Sequence, residues 1–87
     1  MRVQFHPDFD RHFAGRLTPL QRNQVVDVIY LFSETPFHKN LRNHILYGEW
    51  KGYRSISVGG DLRLHYREYK PDIALFVAVG THAQLYK

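Results

Sequence analysis

With 87 residues and no cysteine, the chain has room for one domain around one modest core, and it has no disulfide, thiol nucleophile or thiolate zinc site. No apolar run approaches the roughly 20 residues of a membrane span, and the first residues lack a signal peptide's apolar stretch, so a cytoplasmic location without a membrane partner is expected. The net charge of +4 is uneven: Lys39 to Lys70 carries seven Lys and Arg against three Asp and Glu, while the rest balances at five each, so the basic, aromatic-rich centre fits a phosphate-bearing or acidic partner or a plainly solvated face.

Arg2 to Phe5 alternates as a short strand with Val3 and Phe5 inward. Pro7 then opens a helix with Asp8 in its first turn, and Ala14-Gly15 is the expected stop. A second helix is announced by Thr18-Pro19-Leu20-Gln21, which reads as a capping box with proline at the first helical position. Val25, Val28, Ile29 and Phe32 supply its apolar stripe, and Ser33 to Pro36 ends it. Packed antiparallel, the two helices are expected to bury Phe9, Phe13, Val25, Ile29 and Phe32 against a sheet. His6 and His12 lie near the first helix without a functional signal.

From Phe37 to Glu49 no period is evident; Leu41, Ile45 and Leu46 are expected in the core, and His44 stands where an irregular segment can aim a side chain. A hairpin follows. A three-residue Gly59-Gly60-Asp61 loop sets Val58 opposite Leu62 and Ile56 opposite Leu64, whereas a two-residue Gly59-Gly60 turn would mix core with charge. The preferred register gives the other face Tyr53, Ser55 and Ser57 beside Arg63, His65 and Arg67. Lys70-Pro71-Asp72 turns the chain into Ile73 to Val79, apolar on both faces and therefore central. Gly80-Thr81 breaks this strand, and a final helical turn would project His82 and Tyr86 together. The expected fold is one α+β domain over residues 1–87, β-α-α-β-β-β, with a mainly antiparallel sheet and both helices on one face.

Four strings, His44-Ile45-Leu46, then Gly48 to Arg54 (GEWKGYR), then Asp61 to Leu64 with Tyr66, and finally Gly80-Thr81-His82-Ala83 with Leu85-Tyr86, closely resemble the YafQ branch of the RelE/ParE superfamily of bacterial toxins. The motifs span the second half of the chain in order, and the first half is compatible in length and helix placement. The resemblance implies a RelE-like fold and the toxin of a type II toxin-antitoxin pair, a ribosome-dependent, metal-free endoribonuclease that cuts messenger RNA in the ribosomal A site and inhibits translation. Attack by a 2′-hydroxyl on the adjacent phosphate leaves a 2′,3′-cyclic phosphate, and no cofactor is called for. Such chemistry needs a base, an acid and cations for the phosphate, and imidazole suits the first two near neutrality.

Carried onto this sequence, the resemblance makes His44, Asp61, His82 and Tyr86 the catalytic set. His82 is assigned as acid, Asp61 and His44 as base and base-orienter, and Tyr86 as a nucleotide-stacking ring, with the acid and base histidines open to exchange. Lys51, Arg54 and Arg63 would hold phosphates, and His65 and Arg67 complete the RNA-binding set. This chain departs from the branch at Ser55 and Ser57, where an aspartate and a histidine are usual. His65 faces the same side, and whether it substitutes for the absent histidine stays open. A metal trio of His44, His65 and His82 has no support from close spacing. The partners implied are a cognate antitoxin in a heterotetramer or larger complex, the ribosome with its message, and operator DNA through the antitoxin alone. Two rival functions share the fold: a ParE-like toxin acting on gyrase, and a catalytically degenerate module that binds antitoxin or nucleic acid.

Overall fold

A computed structural model describes residues 1–86. The chain runs β1 (Arg2–Phe5), α1 (Pro7–Arg16), α2 (Pro19–Glu34), β2 (His44–Ile45), β3 (Arg54–Gly59), β4 (Leu62–Lys70), β5 (Ile73–Thr81) and α3 (His82–Leu85), with single 3₁₀ turns at Lys39–Leu41 and Gly48–Trp50. The five strands form one sheet in the order β1-β5-β4-β3-β2, in which β1 pairs parallel to β5 and every other pair is antiparallel. The expected α+β order is therefore present, with β2 added and the anticipated last helical turn formed as α3. Two residues are too few for an alternating pattern, which is why β2 left no trace in the periodicity.

Local chemistry accounts for the helix starts. The α2 capping box forms as read: Gln21 N–H donates to Thr18 Oγ1 at 3.1 Å, and Thr18 N–H donates to Gln21 Oε1 at 2.9 Å. For α1 the cap is His6, whose Nδ1 accepts from Asp8 N–H at 3.0 Å. Gly15 does not stop α1, which continues to Arg16 and ends at Leu17 in extended backbone. A buried Leu17 under the sheet favours the extra turn over glycine's local preference.

The core lies between the helices and one sheet face. Phe9, Val25 and Phe32 from the helices meet Leu41, Ile56, Leu64, Tyr66, Phe76 and Val79. Phe32 presents an edge to Tyr66 at 4.7 Å between centroids and to Phe76 at 5.2 Å. Phe13 and Ile29 are only half-buried against this cluster. Ile45 departs from expectation, being 48% exposed. It pairs with Arg54 on the short edge strand, beyond the helices' cover.

In the hairpin, Ile56 pairs with Leu64 as expected, but Leu62 pairs with Gly59 and not Val58. A bulge between Ser57 and Gly59 absorbs the difference, and the left-handed Gly60 (φ 53°) makes the turn with Asp61. Core pairing is kept while Asp61 is turned to the rim.

The edge of β5 away from β4 is closed by different means along its length. Along residues 73–76 its outer edge is paired by β1. Beyond that, α1 takes over: His12 Nδ1 accepts from Val79 N–H at 3.4 Å, and Arg16 Nη1 donates to Val79 O at 3.2 Å. Burial first, then the Arg16 charge, lowers the His12 pKa, which favours the neutral ring that this acceptor role requires. The two side chains thus continue the ladder where backbone runs out.

Phe32→Ala should remove about 3–5 kcal/mol, much of the stability of a domain this small. The expected outcome is loss of the cooperative transition when unfolding in urea is followed by far-UV circular dichroism.

Candidate active site

The sheet face turned away from the core carries the candidate site. Pairing places His44 opposite Ser55, Ser55 opposite His65, and His65 opposite Ala78, so His44, Ser55 and His65 share this face along one row. At the far end of β5, Thr81 caps α3 with a second capping box: Gln84 N–H donates to Thr81 Oγ1 at 3.3 Å, and Thr81 N–H to Gln84 Oε1 at 2.8 Å. That Thr-x-x-Gln pattern is the one that announces α2, and it was available in the sequence as the signal for this turn. It stacks His82 and Tyr86, with ring centroids 4.4 Å apart and planes at 31°. Asp61 comes from the β3–β4 turn, and its Oδ2 accepts from His82 N–H at 3.3 Å.

Beneath this exposed set lies an unexpected group. His65 is fully buried, with Trp50 edge-on at 4.4 Å and Tyr86 at 5.5 Å between centroids. Trp50 is held in place by its indole N–H, which donates to Leu85 O at 3.0 Å. His65 Nε2 lies 3.3 Å from the Tyr86 hydroxyl, while His65 Nδ1 is buried with no partner among the described residues. A buried N–H without a partner is rarer and more costly than an unused lone pair. The neutral ring is therefore protonated at Nε2 and donates to the Tyr86 oxygen, which leaves the phenolic proton free to point outward. Burial, reinforced by the neighbouring His44 and His82, pushes the His65 pKa down to about 4. Both of those rings thus act on one imidazole, His44 from β2 and His82 from the start of α3.

His44 Nδ1 lies 2.8 Å from Arg42 O. A carbonyl only accepts, so His44 carries its proton on Nδ1 and turns a bare Nε2 away from the backbone. Arg42 reaches this position through a left-handed backbone at φ 50°. The partner that orients His44 is therefore this carbonyl, whereas Asp61 sits with His82.

The cations divide. Arg63 shares the face of His65, donates through Nη1 to Gly60 O at 2.8 Å and Leu62 O at 3.0 Å, and lies near enough to Tyr86 to favour its ionised form against the larger, opposing effect of burial. Lys51 is exposed in the turn after Trp50. Arg67 shares the face too, but it lies against Trp50, Tyr53 and Leu75 in a neighbouring cleft. Arg54 is on the other side of the sheet: it pairs with Tyr66, donates through Nε to Asn43 Oδ1 at 2.7 Å, and lies 5.1 Å over the Phe37 ring. Strand alternation puts Arg54 with Ile56 and not with Ser55, so it cannot share a phosphate with Arg63. Nor can the sealed His65 touch RNA; its contact is with Tyr86. Trp50 is the lid that seals it.

A model of the YafQ family, the bacterial toxin of a type II toxin-antitoxin system, matches residues 1–87. The chain belongs to the YafQ toxin family. A Haemophilus influenzae protein bearing the YafQ toxin name is 46% identical over 68 residues, which span 68% of this chain and 67% of that protein. In fold the chain is similar to a YafQ variant from E. coli, with a TM-score of 0.80 and 24% identity over the whole of both chains. A YoeB/ParE toxin from Agrobacterium tumefaciens overlays with a TM-score of 0.72 at 21% identity, covering 94% of this chain and 99% of that one. The YafQ and RelE-type architecture expected from the motifs is thus the architecture present.

Two outcomes test the site's construction. The His65 pKa is below its unfolded value, so the neutral fold is fully favoured above about 6.5 and loses stability as pH falls from there towards 4. His65→Leu should flatten that decline in denaturant titrations across the window without abolishing it, because His12 contributes with the same sign. At Gly80 an added Cβ would lie 2.8 Å from Gln84 Oε1, the atom that caps α3. Gly80→Ala is expected to displace Gln84 and loosen α3, seen as broadened or shifted His82 and Tyr86 ring signals in NMR spectra while the core signals stay in place.

Proposed function

We propose that this toxin is a ribosome-dependent, metal-free messenger RNA endonuclease in which a 2′-hydroxyl attacks the adjacent phosphate to give a 2′,3′-cyclic phosphate. The observation that carries the reading is the convergence of an exposed His82, stacked on Tyr86 and bonded through its backbone to Asp61, with His44 on the same sheet face. His44, with Nε2 bare, is suited to take the hydroxyl proton. His82 is suited to protonate the departing 5′-oxygen, and Asp61 anchors it through the backbone N–H. Arg63 and Lys51 supply positive charge for the phosphate as its charge builds.

The fold need not move to do this. His65 holds the Tyr86 ring from below, so Tyr86 presents a flat face to a base and a hydroxyl proton to a phosphate oxygen. Solved complexes of E. coli YafQ contain the protein DinJ, and an antitoxin is the natural counterpart here as well. An acidic or amphipathic antitoxin segment over the cations would block substrate and neutralise the face together. Gyrase inhibition would leave the paired imidazoles without a task.

Single changes His44→Ala, Asp61→Ala and His82→Ala, assayed for message cleavage on translating ribosomes, should each cut the rate by roughly 10²–10⁴-fold where an acid or base is lost. Far-UV spectra should stay native, because all three side chains are exposed. Arg54→Ala should instead lower stability through Asn43 and Phe37. Full cleavage by all three of the first set, or gyrase inhibition in a supercoiling assay without RNA cleavage, would overturn the reading.

A further inference from the structure

Beyond the Trp50 wall the open sheet face sinks into a cleft of about 380 Å³ that the chemistry above does not use. Its floor is Leu75 and Val77, half-exposed apolar residues on the central strand β5. Trp50 and Tyr53 stand on one side with rings at right angles and centroids 5.4 Å apart. Arg67 from β4 and Arg16 with His12 from α1 complete the rim. Asp8 is the one carboxylate of the lining, and it is already paired with Arg11 at 2.5 Å. Arg67 has no ion-pair partner among the described residues, and Arg16 commits one of its five donors to Val79 O.

We infer that this cleft is a subsite for one nucleotide of single-stranded RNA adjacent to the nucleotide that is cut. Three features support that ligand class together. Aromatic walls over an apolar floor receive a base of any sequence, since every base has a flat face. Two guanidiniums at the rim match a phosphodiester oxygen pair, a geometry that lysine does not offer. The volume lies at the low end of the roughly 300–1,000 Å³ of small-ligand sites, enough for one nucleotide. The position matters as much: Trp50 packs at right angles to His65 in the candidate active site and also lines the cleft, so a strand passing over it enters both. The indole is fixed by Leu85 O, which keeps the divider in place whether or not RNA is present. In this arrangement the chain holds its substrate on both sides of one rigid ring, and the uncovered Leu75 and Val77 gain a partner. The inference rests on the nuclease reading, and its test separates the two.

The probe is a dinucleotide with a 2′-deoxyribose at the cut position, which cannot react, compared with the same probe lengthened by one nucleotide at its 5′ or its 3′ end. NMR spectra of the full chain report the His82 and Tyr86 rings at the active site and the Leu75 and Val77 methyls in the cleft. All three probes should shift the rings. One extension alone should also shift the methyls and bind on the order of tenfold tighter, and Arg67→Glu should erase that gain. Ring shifts with no methyl shift from either extension would overturn the subsite and leave the nuclease reading standing. Unmoved rings and methyls with every probe would overturn the subsite, and message cleavage on ribosomes would then decide the nuclease reading by itself. Methyls that respond to an acidic antitoxin peptide and to neither extension would assign the cleft to the antitoxin and overturn the proposal.

Discussion

Trp50 joins parts of the chain that sequence keeps far apart. Its ring packs edge-on against His65 from the middle of β4, and its N–H is bound to Leu85 O in the last helical turn. With that indole seated, α3 is fixed over the end of β5, Tyr86 lies on His65, and His82 lies on Tyr86. Each contact is modest alone, an aromatic pair adding roughly 0.5–1.5 kcal/mol beyond its buried area. In series they convert a four-residue helix, too short to be stable by itself, into a fixed mount for two rings.

A buried histidine with an unused nitrogen is an expensive component. An apolar residue of similar size would fill the same space without leaving Nδ1 unpaired. What the imidazole adds is a donor beneath Tyr86, which decides the direction of the phenol's own proton. Stability is thereby exchanged for a defined hydroxyl, the kind of local cost that accompanies functional surfaces. Ser55 is also sealed beneath this layer, a small hydroxyl where an ionised side chain would be penalised by burial.

Much of the framework was legible from residue order. The capping box at Thr18, the apolar stripe of α2, the central strand Ile73 to Val79 and the Ile56–Leu64 pairing follow from short-range rules, and all are present. The projection of His82 with Tyr86 was legible for the same reason, since it needs only one helical turn. Arg54 shows where a motif misleads: alternation already put it on the core side with Ile56, and a family position had suggested a phosphate contact. The burial of His65 could not be read, because it depends on Trp50 and α3 arriving from opposite directions along the chain. The edge closure by His12 and Arg16 is likewise a matter of tertiary placement, invisible to any local period.

The sheet order carries a consequence for biogenesis. β5 is made after every other strand and yet lies between the first and the fourth, pairing with both. Until residues 73–81 are available, β1 has no neighbour, Phe9 and Phe32 have no Phe76 to meet, and α3 has no strand end to sit on. Such long-range pairing also closes slowly compared with local structure. In a chain of this topology neither the closed sheet nor the mount of the candidate site can assemble from the residues before β5 alone.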